Sequence, residues 1–168
     1  GVVLDPADRS VLWERDPDST LVPGSTAKVL TAAAALLTLD PNGGFVTRVV
    51  AGDEPGTVVL VGGGDPTLTG LPAGELGTYP DPSRLTELAD EVRGAVPGPI
   101  DTVLVDTTRW SGPELATGWA PGDVAAGFAT PIVPLMLDGG RIDPALQDGP
   151  RTSEPAQATG EALAALLD

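Results

Sequence analysis

Ser25 and Lys28 are a hydroxyl and a primary amine three residues apart, and the amine belongs to the only lysine in the chain. On a helix this spacing puts both on one face, with roughly 5–6 Å between Cβ atoms. A serine oxygen within reach of an amine that is neutral for part of the time is a nucleophile with its own general base. Such a lysine must have its charge disfavoured by desolvation or by a nearby positive charge. The missing residue types narrow the choice further. With no His and no Cys there is no Ser-His-Asp triad, no thiolate nucleophile and no His/Cys zinc site. The same two residues also fit a plainer role, a helix-capping serine and a lysine reaching into solvent, and the spacing alone leaves both open.

The elements that must position this pair follow from the surrounding residues. Pro23-Gly24 make a turn, Ser25 opens a run of apolar helix formers lasting to Leu39, and Pro41 ends it. Because the run is apolar all round, it predicts a buried helix, so that a Ser and a Lys at its head would face an internal cleft. Upstream, Val2-Val3-Leu4 and Val11-Leu12-Trp13-Glu14 flank a polar turn and predict an antiparallel hairpin. Strands are predicted at 45–51 and 56–61, the second ending in GGGDPTL, followed by a Gly/Pro-rich loop. A helix follows from 83 to about 96, with Ser83 as cap and Glu87 in its first turn. Residues 100–106 read as a strand, and 110–127 as an irregular connection pinned by Trp110 and Trp119. Residues 128–137 predict a returning strand near an edge, broken by Pro131 and Pro134. The last helix, 154–167, takes Thr152 or Ser153 as cap and Ala158, Ala162, Leu163 and Leu166 as its buried stripe.

Composition sets the limits. A length of 168 residues suits one domain, or one with a small insertion. Aromatics are 4% against 41% hydrophobic residues, which implies a finely packed aliphatic core. A formal charge of −15 argues against nucleic acid and against an anionic membrane surface. No apolar run is long enough to span a membrane, and the chain opens in a strand-like segment without a signal-peptide pattern. Zero cysteines are compatible with either redox compartment. Gly62-Gly63-Gly64-Asp65 after a strand could suggest a phosphate loop, but no Gly-Lys-Ser/Thr follows. The Asp16/Asp18 and Asp5/Asp8 pairs fail the calcium-loop spacing. Neither a cofactor nor a metal is expected. Trp110 and Trp119 fit either packing of the long loop or stacking on a glycan.

The phrase VVLDPADRSVLWERDPDSTLVPGSTAKVLTAAAALL resembles the opening of the D-alanyl-D-alanine carboxypeptidase and endopeptidase family of low-molecular-mass penicillin-binding proteins, peptidase family S13. The likeness continues through LVGGGDPTL, VLVDTTRWSGPELATGW and FATPIVPLMLDGGRIDP, and so covers nearly the whole chain. It implies an α/β (α+β) transpeptidase or β-lactamase-like domain, here incomplete. Residues 1–41 would be its beginning, 42–127 an inserted mixed α/β subdomain and 128–168 the return. It also implies that Ser25 attacks the penultimate D-Ala carbonyl of peptidoglycan stem peptides ending in D-Ala-D-Ala, that Lys28 takes the serine proton, and that β-lactams acylate Ser25. An extracytoplasmic place in the cell envelope, periplasmic or secreted, goes with that substrate.

The departures matter as much as the match. The family's Ser-x-Asn and Lys-Thr/Ser-Gly elements have no counterpart here. The only asparagine, Asn42, has Asp40 two positions before it, and there is no second lysine. The chain therefore reads as an amino-terminal portion whose partner is the remaining half of the same protein, inactive in isolation. The alternative is a non-catalytic envelope module that keeps the fold.

Overall fold

Apolar residues on either side of a polar turn form the first element pair. In the computed structural model, which describes all 168 residues, β1 (Val2–Leu4) pairs antiparallel with β2 (Val11–Glu14), and Val3 lies opposite Trp13. Side chains close the turn: Asp5 Oδ1 accepts from the Ala7 amide at 2.8 Å, and Asp8 Oδ1 from the Ser10 amide at 2.9 Å. A tight 3-10 turn, Gly24–Thr26, leads into α1 (Ala27–Thr38). Leu39 is already extended, and the Asp40-Pro41 step keeps the chain out of the helical region. These elements make up one compact unit, Gly1–Gly43.

The burial expected of this helix is not observed. No residue of α1 is buried, and Leu30, Leu36 and Leu37 are 75%, 76% and 85% exposed. An apolar run specifies a surface that gains from being covered. Burial needs a covering layer, and the unit Gly1–Gly43 supplies none of its own around α1.

The second unit, Gly44–Asp168, is built on a three-stranded sheet in the order β3 (Arg48–Ala51), β4 (Thr57–Val61), β5 (Thr102–Asp106). β3 and β4 are antiparallel, joined by a short turn in which the Gly52 amide donates to the Thr57 carbonyl at 2.9 Å. β4 and β5 are parallel, which requires a crossover, and α2 (Leu85–Ala95) supplies it. α3 (Pro155–Leu167) packs beside α2 and against β5. Leu60, Leu85, Ala89 and Leu163 are all fully buried and form the centre of the core, with Leu68 and Leu135 closing it. Gly160 lets α3 approach the sheet, because a Cβ there would stand 2.7 Å from Val105 Cγ1.

Several local expectations are corrected. Ser83 does not cap α2: Arg84 holds the N-cap position without a side-chain cap bond, and its guanidinium donates instead to the Leu71 and Pro72 carbonyls at 2.8 and 2.7 Å. Neither Thr152 nor Ser153 is the N-cap of α3. That position is Glu154, and Pro155 follows it at the first helical turn, where a missing N–H costs nothing. On α3 the buried face runs through Thr159 and Gly160 to Leu163, and Ala158 is exposed. Residues 128–137 do not form a strand. Pro131 and Pro134 cannot donate to a ladder, and only a single parallel bridge, Asp65 to Leu135, survives. The segment is nevertheless inside, with Val133, Leu135 and Met136 buried.

Residues 62–64 are where chain segments of this unit cross. The Gly62 amide donates to the Asp106 carbonyl at 3.0 Å and the Gly64 amide to the Pro134 carbonyl at 2.7 Å. A Cβ on Gly63 would come within 2.3 Å of the Val46 backbone, and one on Gly62 within 2.7 Å of the Pro134 oxygen. These glycines are present because backbone passes against backbone. At the end of β5, Asp106 Oδ1 accepts from the Thr108 hydroxyl at 2.6 Å and from its amide at 2.8 Å.

Two outcomes follow. Gly63→Ala should destabilise the protein by about 1–3 kcal/mol or more, because the added methyl meets backbone that cannot move alone. Gly94→Ala in α2, where a Cβ would meet nothing within 4 Å, should be neutral or stabilising by about 0.4–1 kcal/mol; urea denaturation of both variants checks the contrast. The Thr108 hydroxyl, then its amide, hold the Asp106 carboxyl below its usual range. Its contribution is therefore present above an unfolded value of about 3.9 and is lost as pH falls through the lower folded value. In Asp106→Asn the acid limb of the stability profile should be shallower, measured as melting temperature against pH.

Candidate active site

The local sequence of the first unit builds the Ser25–Lys28 geometry. Gly24 adopts a left-handed conformation (φ 53°), which turns the chain sharply after Pro23. Thr26 then fastens that turn: its amide donates to the Pro23 carbonyl at 3.2 Å and its hydroxyl bonds the same oxygen. The signal for Thr26 is local, since a Ser or Thr side chain bonding back three residues is a recurrent motif. The result places Lys28 Nζ 3.1 Å from Ser25 Oγ, in hydrogen-bond contact.

This geometry bears on the plainer role left open by the spacing. The N-cap position of α1 is Thr26, not Ser25, and no side chain makes a cap bond there. The Ser25 hydroxyl therefore carries no capping bond and accepts from the amine. Lys28 forms no salt bridge, the two ion pairs of the protein being Arg15–Asp16 and Arg93–Asp90. Both Ser25 and Lys28 are exposed. Just ahead of α1, the serine is also close to the positive end of the helix dipole, which favours negative charge developing on an oxygen there.

The other residues weighed from sequence have structural employment. The Gly62 and Gly64 amides are committed to Asp106 and Pro134, and all three glycines are buried, so the loop has no free cradle of amides to offer a phosphate. Asp5 and Asp8 accept the amides of their own hairpin turn. Trp110 and Trp119 pin the connection only partly, remaining 43% and 38% exposed.

A model of the D-Ala-D-Ala carboxypeptidase 3 (S13) family matches residues 1–166. The chain belongs to this family. It is 44% identical to a carboxypeptidase of Mycobacterium tuberculosis over 169 residues and 45% identical to the carboxypeptidase DacB of Mycolicibacterium smegmatis over 168, each match covering 99% of this chain and 36% of the relative. It is also 31% identical to a D-alanyl-D-alanine carboxypeptidase of an Actinomadura species over 150 residues, 84% of this chain and 26% of that one. The chain thus spans about a third of the length of the curated relatives it matches.

The strained step before the serine gives a test of this local geometry. A Cβ on Gly24 would meet nothing within 4 Å, so the only cost of substitution is the left-handed backbone. Gly24→Ala is expected to destabilise the turn by about 1–2 kcal/mol. Gly24→Asn should cost less, since Asn tolerates that conformation. Thermal melts should rank wild type above Asn above Ala, and equal melting of the two variants would contradict the assignment.

Proposed function

We propose that this chain carries the nucleophile and general base of a serine D-Ala-D-Ala carboxypeptidase or endopeptidase acting on peptidoglycan stem peptides. The observation that carries the reading is the 3.1 Å contact between Lys28 Nζ and Ser25 Oγ, in a chain with no His or Cys to take either part. Family membership over residues 1–166 supports the substrate class. In this reading residues 1–41 begin a transpeptidase-like domain, 42–127 are inserted into it, and 128–168 lead back to it with α3 lying against the insertion.

The proposed reaction runs in two halves. With Lys28 neutral, its lone pair takes the Ser25 hydroxyl proton as Oγ bonds to the penultimate D-Ala carbonyl carbon. The lysine then returns that proton to the leaving amine as the C–N bond breaks, releasing the terminal residue and leaving an acyl ester on Ser25. Water, deprotonated by the same amine, attacks the ester; the acyl C–Oγ bond breaks, the amine returns the proton to Ser25 Oγ, and the shortened peptide leaves. A β-lactam carbonyl would enter the first half and acylate Ser25 in the same way. Ser25 and Lys28 are exposed here, and we assign the covering of the amine and the grip on the substrate carboxylate to parts of the protein beyond these residues. Such a substrate places the working protein in the cell envelope, outside the cytoplasm.

Labelling the full-length protein with a fluorescent penicillin tests this reading. Wild type should label, Ser25→Ala should not, and Lys28→Gln should label about 100- to 10,000-fold more slowly, the usual worth of a general base. Equal labelling of wild type and Ser25→Ala would remove the nucleophile assignment. No labelling of wild type would favour a non-catalytic envelope module.

A further inference from the structure

The second unit has a cleft of about 470 Å3 immediately after β5. It opens where the parallel strands β4 and β5 end, the position at which open parallel sheets characteristically receive ligands, and its size is that of a small-molecule site. Arg109 and Trp110 line it, with Thr107, Ser111, Glu114 and Ile132. The far wall is fastened by backbone: the Ile132 amide donates to the Glu114 carbonyl at 2.8 Å, joining the long connection to the buried 133–136 segment.

Two exposed side chains of this cleft are only partly used by the fold. Arg109 takes part in neither of the protein's ion pairs, although acidic residues outnumber basic ones 24 to 9. Trp110 is pinned on one edge, its Cζ2 lying where it would stand 2.9 Å from a Cβ on Gly64, yet it stays 43% exposed. A ring fixed along one edge and still nearly half exposed loses little entropy when something packs on it.

We propose that Arg109 and Trp110 form a binding site for a sugar that carries a carboxylate. The indole offers a flat apolar surface to the C–H face of a pyranose ring. The Arg109 fork matches a carboxylate with two parallel N–H donors. Thr107 and Ser111 supply hydroxyls, and the Glu114 carboxylate accepts sugar hydroxyl protons while disfavouring a second acidic group. The site uses none of the residues assigned to acyl transfer and goes beyond that reading.

The test titrates the full-length protein with N-acetylmuramic acid and with N-acetylglucosamine, the same ring without the carboxylate, by isothermal calorimetry at fixed salt. The acidic sugar should bind at least tenfold more tightly than the neutral one. Arg109→Gln should remove that preference, and Trp110→Ala should weaken both; Trp110→Phe, which keeps a ring against Gly64, should retain part of the binding and guards against loss of fold. Ser25→Ala should bind the sugar as wild type does, and Arg109→Gln should take fluorescent penicillin at the wild-type rate, so that failure here is distinguishable from failure of the acyl-transfer reading. Absence of saturable binding, equal affinity for the two sugars, or an unchanged preference in Arg109→Gln would overturn the proposal.

Discussion

Backbone against backbone at residues 62–64 is the constraint on which the second unit rests. No side chain fits at Gly63, because the Val46 main chain occupies that space. The neighbouring amides are bonded to Asp106 and Pro134. One short stretch therefore fixes the exit of β4 relative to the approach of β3, the end of β5 and the buried proline segment. Trp110 rests on Gly64 for the same reason, so the cleft after β5 takes its shape from a triplet that has no side chains of its own.

The Ser25–Lys28 contact was legible because its signal is entirely local. A Pro-Gly step, a hydroxyl and the sole lysine one helical turn later determine their own geometry through i to i+3 spacing, and the 3.1 Å separation needs nothing from distant sequence. The hairpin and the three helices were legible on the same grounds, as each is specified by periodicity and punctuation within a dozen residues. What the spacing did not reveal is Thr26, whose hydroxyl ties the turn to Pro23.

The failures share a different cause: each depends on what lies next to an element in space. α1 reads as buried from its leucines, but exposure is a property of neighbours. Residues 128–137 are apolar enough to read as a returning strand, and Val133 and Leu135 are indeed buried, while two prolines deny the segment its ladder. The caps assigned to Ser83 and to Thr152 or Ser153 were displaced because the first helical amide of α2, Leu85, donates to the distant Thr69 carbonyl at 2.9 Å, while Pro155 at the start of α3 has no amide to satisfy. On α3 the packing face turned through Thr159, whose hydroxyl is satisfied by the Pro155 carbonyl at 2.8 Å and so can be buried in place of an apolar side chain.

The core of the second unit joins Leu60 of β4 to Leu163 of α3, positions separated by about a hundred residues, and contacts so far apart in sequence close late. During synthesis β3, β4 and α2 leave the ribosome well before α3 exists to seal their apolar face. The first unit emerges earlier still, with its leucines uncovered. The nascent chain must therefore hold two uncovered apolar surfaces for much of its synthesis, a period in which such surfaces are prone to associate wrongly. Growth conditions that slow synthesis between residues 61 and 163 lengthen that exposure, and a holding chaperone would shorten its consequences.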